Sequence, residues 1–172
     1  MAHEHVYSPS AWVERWAPLI AAGGRILDVA SGSGRHARWF AQRGHPVDAL
    51  ERDAVALAQL EGAAGVTTIC TDLENQPWPC ARGAYAGVVV TNYLHRPLFA
   101  HLIEALAPGG VLIYETFAAG NERYGRPSNP AFLLKPGELL EVVRGRLRVI
   151  AYEDVHLPEP RPALVQRICA AG

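Results

Sequence analysis

Residues Leu27 to Arg35 read LDVASGSGR, and this stretch decides the fold. An apolar run over Arg25 to Val29 carries a carboxylate, Asp28, near its end, and a glycine-rich turn and a helix-like segment follow. Glycines at 32 and 34 let the backbone turn sharply and approach a ligand, because no Cβ stands in the way. The next helix points its unpaired N–H groups into the same space. Strand, turn and helix in that order make a cradle for a nucleotide or cofactor.

On either side of that cradle, strand-like and helix-like segments alternate. Ser8 or Ser10 caps a first helix with Pro9 at its start, and Trp12, Trp16, Leu19 and Ile20 share one helical face. Strands are expected at Arg25 to Ala30, Pro46 to Glu51, Val66 to Cys70, Tyr85 to Thr91 and Val111 to Thr116. Helices are expected at Arg35 to Arg43, Ala54 to Leu60, from Pro97 onward, and at Pro136 to Val143. Leu147 to Tyr152 and Ala163 to Cys169 close the chain as two strands joined by a Pro-rich turn. Such alternation predicts an α/β fold with a parallel sheet, whose ligands sit beyond the carboxyl ends of the strands. Candidate positions are therefore Asp28 to Gly34, Glu51, Asp72, Asn92 with Tyr93, and Glu115 with Thr116. Phe117 to Leu134 is a long irregular stretch, of the kind that is usually functional or mobile inside a compact domain.

Composition narrows the function classes. A chain of 172 residues, 49% hydrophobic and 19% charged, fits one globular domain over 1–172 with a flexible tail over 1–9. A formal charge of −1 gives no global field for nucleic acid or anionic membrane. No apolar run is long enough to cross a bilayer. Cys70, Cys80 and Cys169 show no metal-ligand spacing and read as reduced thiols of a cytoplasmic protein. His3 and His5 read as part of the tail rather than as metal ligands.

Two cofactors compete for the cradle. Gly32 to Ala37 matches GxGxxA, a variant of the dinucleotide fingerprint. Glu51, at the end of the second strand, can bind both hydroxyls of a ribose, which suits a dinucleotide or S-adenosylmethionine. Asp28 favours the second: it would repel a pyrophosphate and attract an ammonium and a sulfonium. Asp72, after the third strand, can accept from an adenine amine. A dehydrogenase usually adds a substrate domain, for which this chain has no room.

These residues resemble those of the class I S-adenosylmethionine-dependent methyltransferases. Within that class the chain is similar to small bacterial enzymes of the tellurite-resistance type. The likeness runs from about Ser10 to the end, carried by LDVASGSGR, VDALERD (Val47 to Asp53), TDLE (Thr71 to Glu74) and LAPGGVLIYETF (Leu106 to Phe117). It implies a Rossmann-like, seven-stranded, mostly parallel sheet with helices on both faces and the last strand antiparallel. It implies that Asp28, Ala30 and Gly32 surround the methionine end of the cofactor, that Glu51 binds its ribose hydroxyls, and that Ser31, Gly34 and Arg52 also belong to the cofactor site. Asp72 and the Leu73 N–H would meet the adenine, with Asn92 and Tyr93 lining the methionine side. The product would be S-adenosylhomocysteine.

The expected reaction is methyl transfer to a small-molecule acceptor. Tyr93 and His95 are the candidate catalytic residues, with His95 as base if the nucleophile arrives protonated. His95 reads equally as a residue opening a helix beside Pro97, Asp28 as a cap, and Asp72 as an ordinary turn start. His36, on the first turn after the glycines, is expected to face the site or solvent. Arg35, Arg96, Arg123 and Arg126 are expected to converge over the pocket and favour an anionic acceptor; Glu115 and Tyr124 are further pocket candidates. Asn92 is followed by Tyr93-Leu94-His95 rather than the signature of DNA amino-methyltransferases, so no DNA partner is expected. A non-catalytic S-adenosylmethionine-binding module and an NAD(P)-binding oxidoreductase are the competing readings. The sequence leaves monomer and homodimer both open.

Overall fold

The structure, a computed structural model, describes residues 8–172. Its elements run α1 (Ala11–Trp16), β1 (Ile26–Val29), α2 (Arg35–Ala41), β2 (Val47–Glu51), α3 (Ala54–Ala58), β3 (Val66–Cys70) and β4 (Tyr85–Thr91). They continue with α4 (Phe99–Ala105), β5 (Leu106–Phe117), α5 (Glu138–Val143), β6 (Arg148–Leu157) and β7 (Ala163–Ala171). The strands form one seven-stranded sheet in the order β3-β2-β1-β4-β5-β7-β6. β1 to β5 pair in parallel, and β7 runs antiparallel to both of its neighbours. The expected architecture holds, down to the reversed final strand.

Strand periodicity divides the core into two layers. Leu27, Val29, Val88, Val90, Leu112 and Tyr114 face α4 and α5, where Leu102, Ala105, Leu139 and Val143 meet them. Ile26, Val47, Ala49, Val89 and Ile113 face the other way, onto Trp12, Val13, Ala37, Phe40, Leu57 and Leu60 of α1 to α3 and the residues just beyond. Both sets are buried, so the central strands read as unbroken apolar runs such as GVVV in β4.

Several boundaries differ from expectation, each for a local reason. Ser10 caps α1, its hydroxyl accepting the Trp12 N–H, so Pro9 lies outside the helix. The helix gives way to a 3-10 turn at Ala17–Leu19, which carries Pro18; this leaves Leu19 47% exposed instead of on the Trp12 face. Pro97 opens a 3-10 turn, Arg96–Leu98, that leads into α4. Pro108-Gly109-Gly110 sits within β5, where the pairing with β4 slips between Tyr85 and Gly87. β6 extends to Leu157 because nine pairings with β7 continue through His156 and Leu157. Of the expected tail over 1–9, residues 1–7 lie outside the described residues, and the Ser8 carbonyl accepts a bond from Arg35 at 3.1 Å. His3 and His5 lie outside the described residues. Among the described residues no helix is long and apolar enough to cross a membrane.

Candidate functional site

The chain builds β1, β2 and β3 toward one edge of the sheet, then β4 and β5 toward the other, so the topology switches between β1 and β4. Open α/β sheets bind ligands beyond the strand ends at such a switch. Backbone strain marks the same place. Ala30 and Asn92 are the non-glycine residues with positive φ among the described residues, both at 54°. Each directly follows one of the two switch strands, and each left-handed residue costs about 1–2 kcal/mol. The Asn92 conformation is held by its N–H bond to the Glu115 carbonyl at 3.0 Å.

A cavity of about 640 Å³ opens there, within the size range of small-ligand pockets. After β1 to β3 its wall is Ala30, Glu51, Arg52, Thr71, Leu73 and Glu74. After β4 and β5 it is Asn92, Tyr93, Leu94, Thr116 and Phe117, joined by Pro127 and Phe132 from the stretch beyond β5. The long irregular segment therefore contributes a wall to the cavity.

Glu51 organises the left side. Its Oε2 accepts the Gly32 N–H at 2.8 Å, and its Oε1 accepts those of Arg52 and Asp53 at 2.8 and 3.0 Å. A carboxylate has about four acceptor positions. A diol therefore engages Glu51 by sharing or displacing one of these backbone donors.

The two glycines of the turn do different work. A Cβ on Gly32 would meet nothing within 4 Å, so its side faces open space. A Cβ on Gly34 would lie 2.3 Å from Leu60 Cδ2. Gly34 thus lets the turn pack against the end of the α3 segment.

Asp28 does not line the cavity. It shares the strand face of Ile26, under α2, where the Ala37 N–H bonds to it. Burial pushes its carboxyl up to about 7, against the lowering effects of that N–H and Arg35, with Glu51 adding to the rise. Its Oδ2 and the Ser31 hydroxyl are buried and have no hydrogen-bond partner among the described residues. Neither side chain is part of the cavity wall; Ala30 between them is, on the side that carries Glu51, Arg52 and Glu74. The two carboxylates there fit a ligand bearing hydroxyls and positive charge, as S-adenosylmethionine does.

Asp72 is turned to its own loop: Oδ1 accepts the Glu74 N–H and Oδ2 the Asn75 amide, at 3.0 and 2.8 Å. The Asn75 and Glu74 bonds hold it below the usual carboxylate range. It lines an adjoining depression shared with Arg52 and Thr71. Leu73 is buried and reaches the main cavity. Tyr93 does too, on a backbone fixed by the Tyr114 hydroxyl, which donates to its carbonyl at 2.7 Å. Burial, then Glu74 and Asp72, push the Tyr93 phenol up to about 12, so it is a proton donor at neutral pH.

Other candidates are drawn elsewhere. His95 directly precedes the Arg96–Leu98 turn, makes no side-chain bond to it, and is absent from the cavity wall. His36 is buried, and its Nε2 accepts the Ser10 N–H at 3.0 Å. Glu115 accepts the Ser10 hydroxyl at 2.6 Å and Arg167 at 3.1 Å, on the face opposite Thr116. Tyr124 stacks on His156, with ring centres 4.8 Å apart. The four arginines do not converge. Arg35 binds the Ser8 carbonyl, and Arg123 and Arg126 are exposed and absent from the wall. Arg96 forks onto Glu138 at 2.6 and 3.0 Å and donates to the Ala131 and Leu133 carbonyls, both at 2.9 Å. It is a strut that fastens the segment carrying Phe132. The residues the motifs missed are Thr71, Glu74, Leu94, Phe117, Pro127 and Phe132. Of these, Thr71 and Glu74 had a signal in TDLE, and Phe117 one in its place after β5.

Comparison with known proteins agrees with this geometry. Residues 26–110 match the family described as "Methyltransferase domain". No curated protein matches the sequence. The fold is similar to that of an S-adenosylmethionine-dependent methyltransferase from Mesorhizobium loti, at 18% identity and TM-score 0.71, covering 95% of this chain and 99% of that one. TehB from Haemophilus influenzae superposes with TM-score 0.74 at 17% identity, over 93% of this chain and 60% of its own. The 1,6-didemethyltoxoflavin-N1-methyltransferase of Burkholderia thailandensis, solved with its substrate and S-adenosylhomocysteine, gives 0.66 at 18% identity, over 99% of this chain and 81% of that one. Residues 26–110 thus match the methyltransferase-domain family, and the whole chain shares the fold of solved S-adenosylmethionine-dependent methyltransferases.

Proposed function

We propose that the protein binds S-adenosylmethionine in the cavity at the β1/β4 switch and transfers its methyl group to a small molecule held in the same cavity. The observation that carries this reading is the pair of strained residues, Ala30 and Asn92, at the ends of the two switch strands beside Glu51. When bound, the cofactor supplies a methyl already activated on sulfonium: the S–CH3 bond breaks as the acceptor–CH3 bond forms, and the electron pair stays on sulfur. Glu51 would hold the ribose hydroxyls and Leu73 would meet the adenine. Asp28, beneath the turn, acts on the methionine end through its field. Tyr93 and Asn92 orient what enters between them, and Phe117, Pro127 and Phe132 keep water from that side. We place the enzyme in a bacterial cytoplasm, in keeping with its free thiols.

Charge-assisted bonds from a diol to Glu51 contribute roughly 1.5–3 kcal/mol. Glu51→Ala is therefore expected to weaken S-adenosylmethionine binding about ten- to a hundredfold in a calorimetric titration. Unchanged affinity would remove Glu51 from the site.

No group on the cavity wall is required as a base. A proton carried by the acceptor is lost to water, and the Tyr93 phenol, raised to about 12, does not accept it at neutral pH. With an accepted substrate, His95→Ala should show the wild-type pH–rate profile. Loss of a limb near neutrality would return His95 to the chemistry.

Formation of S-adenosylhomocysteine across a broad acceptor screen tests the reading as a whole. Tight cofactor binding with no product from any acceptor would favour a non-catalytic binding module instead.

A further inference from the structure

The cavity wall is chemically divided along the sheet. Among the described residues, the side after β1 to β3 holds every charged wall residue, namely Glu51, Arg52 and Glu74. The described side after β4 and β5 holds none: Leu94, Phe117, Pro127 and Phe132 form its apolar surface, and Asn92, Tyr93 and Thr116 add neutral polar groups. The nearest cation by sequence, Arg96, is committed to Glu138 and two carbonyls. Phe132 is 48% exposed although it belongs to the wall, so its ring presents apolar surface without being filled in by the core. If the cofactor's diol lies on Glu51, as proposed above, the acceptor must enter from the uncharged side.

The geometry points to an uncharged, planar aromatic acceptor, received between Phe117, Phe132 and Leu94, with Tyr93, Asn92 or Thr116 giving its polar atom a partner. An anion placed there would lose its hydration and find no cation on that wall, a desolvation cost that a neutral ring avoids. Aromatic side chains in turn offer a ring both contact area and favourable ring–ring geometry. This replaces the anionic acceptor expected from the arginine count. It rests on the methyltransferase reading of the cavity.

The test is calorimetric and needs no turnover. The full chain is first titrated with S-adenosylhomocysteine, and the saturated protein is then titrated with 2-naphthol and, separately, with 2-naphthoate. The expected result is saturable binding of 2-naphthol, at least about tenfold tighter than 2-naphthoate. Phe132→Asp should weaken 2-naphthol at least about fivefold; a half-exposed position tolerates the change in folding, which a melting curve verifies. Phe132→Leu, which keeps an apolar side chain, should retain more of the affinity than Phe132→Asp. Equal or tighter binding of 2-naphthoate, binding of neither ring, or indifference to Phe132→Asp would overturn the inference while leaving the cofactor site intact. Failure of S-adenosylhomocysteine itself to bind would overturn the methyltransferase reading, and this inference with it.

Discussion

Asp28→Asn is expected to make the ligand-free protein more resistant to unfolding above pH 7 and to destabilise it by roughly 1–3 kcal/mol below pH 4. The carboxyl of Asp28 is pushed from 3.8 to about 7, chiefly by burial. Because its folded value is raised, the group's stabilising contribution is complete below 3.8 and is lost as pH rises to about 7. A displacement of that size corresponds to about 4 kcal/mol. The variant removes this loss. It also places an amide N–H₂ where Oδ2 has no partner, at a pH-independent cost of roughly 1–3 kcal/mol. The difference between variant and wild type should therefore grow through that window by about 4 kcal/mol and then level off. His36 complicates the wild-type curve with the opposite sign. Burial and Arg35 push its imidazole from 6.5 down to about 3, so its contribution is present above 6.5 and lost as pH falls toward 3. Taking the difference at each pH cancels it. Urea midpoints measured at several pH values give the result directly, and a difference independent of pH would contradict the burial argument. The same substitution should weaken S-adenosylmethionine binding, the common trade between stability and function at a strained site.

Gly34→Ala is expected to cost about 2–5 kcal/mol. Gly34 precedes α2 with φ 81°, a left-handed conformation that costs an alanine about 1–2 kcal/mol. The added methyl would also fall 2.3 to 2.5 Å from three atoms of Leu60, which is buried, and overpacking of this kind costs about 1–3 kcal/mol more. Gly32→Ala, with φ 56° and nothing within 4 Å of the new Cβ, should lose the conformational part alone. Leu60→Ala in the Gly34→Ala background makes room for the methyl, so the double variant should be less destabilised than the sum of the singles. Chemical denaturation of the wild type, the three single variants and the double variant measures each quantity. Equal costs at Gly32 and Gly34, or strict additivity with Leu60, would show that the turn does not lean on that side chain.

The sheet was largely legible because its signals are local. The β-branched run Val66–Cys70 and the apolar run within Tyr85–Thr91 form the strands expected of them. Strand ends in a parallel sheet then locate the cavity without further information. The direction of each side chain was less legible. Asp28 stands two residues after Ile26 and so shares its face under α2, a parity visible in the sequence but outweighed by the pull of the motif. The long-range contacts carried no sequence signal at all. Arg96 finds Glu138 across 42 positions, and Ser10 finds Glu115 across 105. Those pairings removed two presumed pocket residues and set Phe132 in the wall instead.

The most direct test is a crystal structure of the protein grown with S-adenosylhomocysteine. The adenosine should lie across the ends of β1 and β2, with its ribose hydroxyls within hydrogen-bond distance of the Glu51 carboxylate. Nucleoside bound elsewhere on the protein, or excluded from this cleft while a dinucleotide's diphosphate occupies it, would contradict the assignment.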